Sequence, residues 1–160
     1  MCGARESGAA CASEPGARRA LETAFKADPY DVVTYNLLSL LDTLEKYNGI
    51  EFINGRNELN SGYAADAYAR IKGISALITT FGVGELSACN AIAGANSEHI
   101  PLIHIVGSPP DKDQKEHKLM HHTLMDGNFD VFRKVYEPIT AYTAVVTPEN
   151  AEIEIPTAIR

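Results

Sequence analysis

Apolar residues recur at helical spacing in three parts of the chain. Leucines follow this spacing from Leu37 to Leu44, and a second helix is predicted from about Glu58 to Lys72, where Gly73 ends it. A third helix is predicted from Glu85 to about His99. Along the second helix, four residues at four-residue steps predict one apolar face, namely Leu59, Tyr63, Ala67 and Ile71.

Short runs of apolar and β-branched residues separate these helices. Ile50 to Ile53, Ile74 to Phe81 and Pro101 to Val106 are predicted to be strands. The second run is apolar on both faces, which is typical of a strand buried in a parallel sheet. Strands that alternate with helices over short connections predict an α/β fold with a doubly wound, mainly parallel sheet flanked by helices.

The pattern is less regular beyond the third strand. Asp111 to Gly127 is polar and is predicted to be a loop, followed by a short helix near Phe129 to Val135. A further strand is predicted from Ile139 to Val146. Thr147 to Asn150 has the residues of a helix start, and Pro156 is expected to interrupt the helix that follows.

The first 28 residues differ in composition from the rest. They are rich in Ala, Gly, Arg, Ser and Glu, so we expect residues 1–28 to be a largely disordered or atypical N-terminal segment. The chain has 160 residues, of which 45% are apolar, and this is enough for one globular domain with its own core. We therefore place a single domain at residues 29–160.

Charge and cysteine content exclude several classes of protein. The formal net charge of −7 argues against a nucleic-acid partner, because such proteins carry basic patches. No apolar run approaches the length of about 18 residues that predicts a membrane span. The three cysteines, Cys2, Cys11 and Cys89, form no CxxC pair, and we interpret them as reduced thiols of a cytoplasmic protein.

Two predicted strand-to-helix turns carry candidate chemistry, because ligands of such sheets bind beyond the carboxyl ends of the strands. Glu58 opens the second helix, and its carboxylate could serve the helix N-terminus or could hydrogen-bond a ligand. The other turn contains Gly82, Val83 and Gly84, whose glycines allow a ligand to approach the backbone. It is not a dinucleotide-binding GxGxxG loop, because Ser87 occupies the place of the third glycine.

The adjacent pair His121-His122 is the most unusual feature of the polar loop. In an extended chain two neighbouring side chains point in opposite directions, so both could face one pocket only if the chain turns there. A solvated loop remains the alternative. His104 alternates within a predicted buried strand and is interpreted as a core histidine, and His99 as the end of a helix. A zinc site is not expected, since no further ligands lie at suitable spacing.

Three segments resemble one known family. They are NELNSGYAADAYARIKG from Asn57 to Gly73, ITTFGVGELSACNAIAGANSEHIPLIHIVGSP from Ile78 to Pro109, and HHTLMDGNF from His121 to Phe129. In order and spacing they resemble the N-terminal pyrimidine-binding domain of pyruvate and indolepyruvate decarboxylases, which depend on thiamine diphosphate. The resemblance extends over roughly residues 35–150.

The resemblance implies a role for four residues. A glutamate at the place of Glu58 hydrogen-bonds N1′ of the aminopyrimidine ring, and Val83 lies against that ring. His121 and His122 face the reaction centre and move protons. The implied cofactors are thiamine diphosphate and magnesium, with the magnesium ligands on a diphosphate-binding domain that this sequence does not contain.

The implied enzyme is a carboxy-lyase that converts a 2-oxo acid to an aldehyde and carbon dioxide, as a homodimer or homotetramer. Its active site forms between domains of two subunits, so we expect this chain to be a fragment that is inactive alone. The alternative is an inactive interaction module or a decayed fragment. Its support is a predicted helix rich in small residues suited to close packing, namely Gly62, Ala64, Ala65, Ala67 and Ala69.

Two departures from the family pattern concern individual positions. Thr34 stands where the family has an Asp in the loop before the leucine-rich helix. No strand and helix are recognisable ahead of that loop, so we expect the domain to be incomplete at its N-terminal edge. Met125 replaces a glycine that the family has after the His-His-Thr-Leu run.

Overall fold

A computed structural model describes residues 40–42, 44, 46 and 53–160 of the chain. Residues 40–42 and 44 are helical. The further elements follow in the order α1 (Glu58–Lys72), β1 (Ser75–Thr80), α2 (Val83–Ser97), β2 (Leu102–Gly107), α3 (Asp111–Lys115), α4 (Val131–Tyr136), a 3₁₀ turn (Glu137–Ile139) and α5 (Ala151–Ile159). Among the described residues, no helix is both long and apolar enough to cross a membrane.

Helix α1 begins and ends where its sequence predicts. The side chain of Asn57 accepts a hydrogen bond from the amide of Asn60 at 2.8 Å and so caps the N-terminus. At the other end Gly73 adopts a φ of 96°, and its amide donates to the carbonyl of Ala69 at 2.8 Å. These two caps confirm the predicted bounds.

Strands β1 and β2 pair in parallel, as predicted. Ser75 lies opposite Leu102, and the register continues to Thr80 opposite Gly107. Both strands therefore end at the same edge of the sheet, where β1 turns into α2. Helix α2 starts at Val83, two residues earlier than predicted, because Gly82 serves as its N-cap. It ends at Ser97, just before His99, which has a positive φ of 56°.

Apolar residues on both faces of this pair pack against helices. Leu77 joins a buried cluster with residues of α2 and α4, namely Ala88, Ile92 and Tyr136. Ile78, the next residue along the strand, packs on the other face against Leu40 and Leu44, together with Ile105. The sheet is covered on both sides, which confirms the α/β fold class.

The predicted apolar face of α1 is wrong. Tyr63 and Ile71 are exposed, and the buried residues of the helix are Gly62 and Ala69. A Cβ on Gly62 would lie 2.6 Å from the Cβ of Ala91 in α2, so the two helices approach closely through small side chains. Close backbone approach selects the small residues and turns the larger apolar ones outward.

Three predictions for the C-terminal part also need correction. Residues 140–146 form no strand, because β-branched residues make a strand only where a neighbouring strand pairs with them, and none of the described residues does so. Pro156 does not interrupt α5, which continues through it to Ile159. The polar region from Asp111 is not loop throughout, since it opens with the short helix α3.

Several predictions fall outside the described residues. These are the N-terminal segment 1–28, Thr34, and most of the first predicted strand, Ile50 to Ile53. Of that strand only Ile53 is described, and it is exposed and has no regular structure. The short helix predicted near Phe129 to Val135 is present as α4.

Candidate functional site

A cleft lies beyond the carboxyl ends of β1 and β2. Its walls combine the strand ends with the loop that carries the paired histidines, and its lining residues are Thr80, Phe81, Gly107, Ser108, Pro109, Pro110, Met120, His121 and His122. The cavity volume is about 30 Å³, whereas ligand pockets measure roughly 300–1,000 Å³. The described residues therefore do not enclose a pocket of the size that holds a ligand.

The turn from β1 into α2 stands beside this cleft. Gly82 has a φ of 66°, a left-handed conformation that favours glycine. A Cβ on Gly82 would lie 2.1 Å from the carbonyl oxygen of His122, so the turn and the histidine loop are in direct contact. Val83 follows at the first position of α2 and is 58% exposed. The turn thus presents an exposed apolar side chain beside the cleft.

Glu58 lies close to the same turn. Its Oε1 would be 3.3 Å from a Cβ built on Gly84, and the side chain of Thr80 borders the same glycine. The side chain of Asn57 caps α1, and Glu58 stands in the first turn, where the helix dipole also favours a carboxylate. Among the described residues, no lysine or arginine forms an ion pair with Glu58. The Glu58 carboxylate at the start of α1 therefore lies beside the turn that carries Val83.

The paired-histidine loop turns sharply at His122, whose φ is 62°. This turn lets both rings line the cleft, and their centroids are 4.8 Å apart in a T-shaped arrangement. His117 closes the base of the loop, because its Nδ1 hydrogen-bonds the carbonyl of Gly127 at 2.9 Å. The turn that two adjacent histidines need in order to share a pocket is therefore present.

Glu85 is a buried carboxylate near the site that the sequence analysis did not single out. Its Oε1 accepts a hydrogen bond from the amide of Gly82 at 2.8 Å, and burial raises the pKa of its carboxyl group. The sequence signal was available, since a glutamate three residues after a helix N-cap is typical of a capping box. The cleft residues Phe81 and Met120 gave no such signal.

His104 lies in the sheet core, as predicted. Its Nε2 is 2.8 Å from the hydroxyl oxygen of Thr79, and its ring centroid is 5.2 Å from that of Tyr136. Burial lowers its pKa to about 4, so the ring is neutral near pH 7. Within the described part of the chain, no group of three or more His, Cys, Asp or Glu could hold a metal ion.

Comparisons of the sequence with known proteins identify its family. Residues 27–129 match the family described as thiamine pyrophosphate enzyme, N-terminal TPP binding domain. The chain is 51% identical over 118 residues to an alpha-keto-acid decarboxylase of Mycobacterium leprae, a match that covers 74% of this chain and 21% of that protein. It is 51% identical over 124 residues to pyruvate decarboxylase isozyme 2 of Saccharomyces cerevisiae, with 77% and 22% covered.

A pyruvate decarboxylase of Aspergillus terreus is 60% identical over 101 residues, covering 63% of this chain and 17% of that protein. The chain thus spans about a fifth of the length of the relatives it matches. The family match covers 103 of the 160 residues (27 to 129), and it includes the Glu58 helix and the Gly82–Gly84 turn. The chain therefore belongs to the thiamine pyrophosphate enzyme family, as an N-terminal TPP-binding domain of the pyruvate and alpha-keto-acid decarboxylase kind.

Proposed function

We propose that this domain binds the aminopyrimidine half of thiamine diphosphate and thereby forms part of a non-oxidative 2-oxo acid decarboxylase. The observation that carries the proposal is the Glu58 carboxylate beside the Gly82–Gly84 turn. The relatives are decarboxylases of pyruvate and alpha-keto acids, which supports a 2-oxo acid as substrate. In this proposal residues 29–160 constitute the pyrimidine-binding domain.

The chemistry of these residues fits an aminopyrimidine ring. Such a ring presents apolar faces and polar edges, and the exposed Val83 side chain suits a face. The Glu58 carboxylate suits an edge, since it can accept a hydrogen bond from a protonated ring nitrogen. A carboxylate with no cationic partner among the described residues keeps its full acceptor strength for a ligand.

The residues of this chain then have distinct tasks. Glu58 would hold a proton at the N1′ atom of the bound ring. Val83 holds the ring in place from one face. When bound, thiamine diphosphate supplies the electron sink for loss of carbon dioxide from the 2-oxo acid. His121 and His122 orient the substrate and exchange protons at the open side of the cleft, because an imidazole ring can both accept and donate a proton.

The other wall of the site belongs, in this proposal, to a diphosphate-binding domain of a second subunit. Exposed apolar residues on α2 and on the paired-histidine loop would be covered by it, namely Val83, Leu86, Leu119, Leu124 and Met125. Magnesium would be held by that domain, because it accompanies the diphosphate. A homodimer or homotetramer provides such an arrangement, in the cytoplasm.

The second candidate is an interaction module that pairs with full-length subunits without catalysis. Tyr63 and Ile71 on α1 are exposed apolar residues that favour a protein contact. The small residues Gly62 and Ala69 do not support a contact with a second protein, because they are buried within this chain. Cofactor binding distinguishes the two candidates.

Titration of the ¹⁵N-labelled chain with thiamine diphosphate tests the proposal. We expect the amide signals of Val83 and Gly84 to shift in the wild type and to shift far less in Glu58→Gln. Glu98→Gln is the matched control, since Glu98 pairs with Arg70 at the far end of α2 and should leave the titration unchanged. Equal shifts in wild type and Glu58→Gln, or no shift at saturating cofactor, would contradict the proposal.

A further inference from the structure

Glu85 is the second carboxylate beside the Gly82–Gly84 turn, and it differs from Glu58 in burial and direction. Only 3% of the residue is exposed. Its Oε1 bonds the amide of Gly82 at 2.8 Å, and the residue does not line the cleft. The raised pKa of its carboxyl group reflects the same burial. This side chain is directed at the backbone of the turn and not at the ligand site.

Gly82 is the point where the turn touches the paired-histidine loop. The space where a Cβ would stand is filled by the carbonyl oxygen of His122 at 2.1 Å, and the ring of Phe132 is 3.0 Å away. Closely packed atoms transmit displacements, because no free volume absorbs them. A shift of the Gly82 backbone therefore moves either His122 or the turn that carries Val83.

The backbone of Glu85 is held in place by a separate hydrogen bond from the sheet core. The hydroxyl of Tyr136 donates a hydrogen bond to the carbonyl oxygen of Glu85. Tyr136 itself is buried in the core cluster together with Leu77 and Ile92. The sheet core thus fixes the main chain of Glu85, and its side chain extends from there to Gly82.

We propose that Glu85 is a positioning residue whose carboxylate fixes the Gly82 amide and, through Gly82, sets the places of Val83 and of the paired-histidine loop. Its effect on cofactor binding rests on the function proposed above, whereas the positioning itself does not. Glutamine keeps an acceptor oxygen at the same reach and alanine removes it. If Glu85→Gln keeps the Gly82 amide in place, the hydrogen bond is what positions the turn, and a charge at residue 85 is not required.

Amide hydrogen exchange and NMR spectra of the 160-residue chain, recorded without cofactor, test this proposal. In Glu85→Ala the Gly82 amide should exchange faster, on the order of tenfold, because it loses its hydrogen-bond acceptor. The ring signals of His122 should shift, and the amides of Leu77 and Ile105 should keep their wild-type rates. Glu85→Gln should stay within about twofold of wild type at Gly82.

Glu58→Ala is the matched control, because it removes the other carboxylate near the turn and leaves the Gly82 bond intact. Unchanged Gly82 exchange in Glu85→Ala would overturn the proposal, and so would a Glu85→Gln variant as perturbed as the alanine. If the alanine variant does not fold, Glu85→Asp replaces it, because an aspartate side chain is one methylene shorter and cannot reach the Gly82 amide. Wild-type exchange of the Gly82 amide in Glu85→Asp would also overturn the proposal. A negative result in the exchange experiment would not affect the proposed role of Glu58. A negative result in the cofactor titration would not affect the positioning role of Glu85.

Discussion

Met125 shows how one residue can depart from a family pattern at a cost in stability. It occupies a position where the resemblance predicts glycine, and its φ is 58°, in the left-handed region that favours glycine. The side chain is 56% exposed, so little packing offsets the strain. The departure noted in the sequence thus coincides with a strained backbone in the structure.

Met125→Gly should therefore raise the free energy of unfolding by about 0.5–1 kcal/mol, after the greater flexibility of glycine in the unfolded chain is subtracted. Urea denaturation measures this as a higher midpoint with an unchanged slope. Leu124→Gly is the control, because Leu124 is equally exposed but is absent from the residues with positive φ. Equal effects of the two substitutions would contradict this explanation.

His104 predicts a pH dependence of stability. Its pKa falls from the ordinary 6.5 to about 4 on folding, so between these values the unfolded chain binds more protons than the folded one. The contribution is fully present above about pH 6.5 and is lost as the pH falls toward 4, by up to about 3 kcal/mol. His104→Gln should remove this part of the pH profile. A variant whose unfolding free energy keeps the wild-type slope between pH 4 and 6.5 would refute the assignment.

At the scale of elements, the contact between α1 and α2 depends on the absence of a side chain at Gly62. A Cβ there would be 2.6 Å from that of Ala91, whereas a Cβ on Gly94 in α2 would meet nothing within 4 Å. Alanine has a higher helix propensity than glycine by about 1 kcal/mol. Substitution by alanine is therefore predicted to change the free energy of unfolding in opposite directions at Gly62 and Gly94.

Gly62→Ala should destabilise the domain by roughly 1–3 kcal/mol, because overpacking outweighs the gain in propensity. Gly94→Ala should stabilise it by up to about 1 kcal/mol. Thermal or urea unfolding of both variants compares them directly. If Gly62→Ala stabilised the domain as much as Gly94→Ala does, the close approach of the helices would be disproved.

The sequence predicts elements best where local signals fix their ends. Asn57 and Gly73 delimit α1 by caps that depend on a few neighbouring residues, and the parallel pair follows from its apolar runs. The exposed face of α1 could not be predicted, because the choice between Tyr63 and Gly62 depends on how closely α2 approaches. Residues 140–146 were misassigned since strand formation needs a partner that composition does not reveal.

In the candidate site, too, the residues that local signals mark could be predicted, and the contacts that depend on folding could not. Glu58, Val83 and the histidine pair could be chosen from the sequence, because their types and the resemblance both point to them. The contact between Gly82 and His122 joins segments about 40 residues apart, so only the folded chain reveals it. Glu85 was missed because the helix was predicted to begin at Glu85 itself, so that its place three residues after the N-cap Gly82 was not recognised.

At the scale of the whole molecule, the proposed function gives this chain one wall of a site that a second domain completes. We predict no measurable aldehyde formation by the purified 160-residue chain from pyruvate or indolepyruvate with thiamine diphosphate and magnesium present. The reason is that the proposed reaction also needs a diphosphate-binding domain. An aldehyde-reduction assay with a coupled dehydrogenase measures this, and turnover of either substrate would contradict the prediction.

The central claim is that Glu58 acts on the cofactor. The most direct test places residues 35–150 of this chain in the S. cerevisiae relative in place of its matching segment, so that the rest of the enzyme is supplied, and measures turnover of pyruvate. Relative to this chimera, Glu58→Gln should lower turnover on the order of 10²–10⁴-fold, the usual loss when a proton-transfer group is removed, while Glu98→Gln should not change it. Turnover in Glu58→Gln equal to that of the parent chimera would contradict the account.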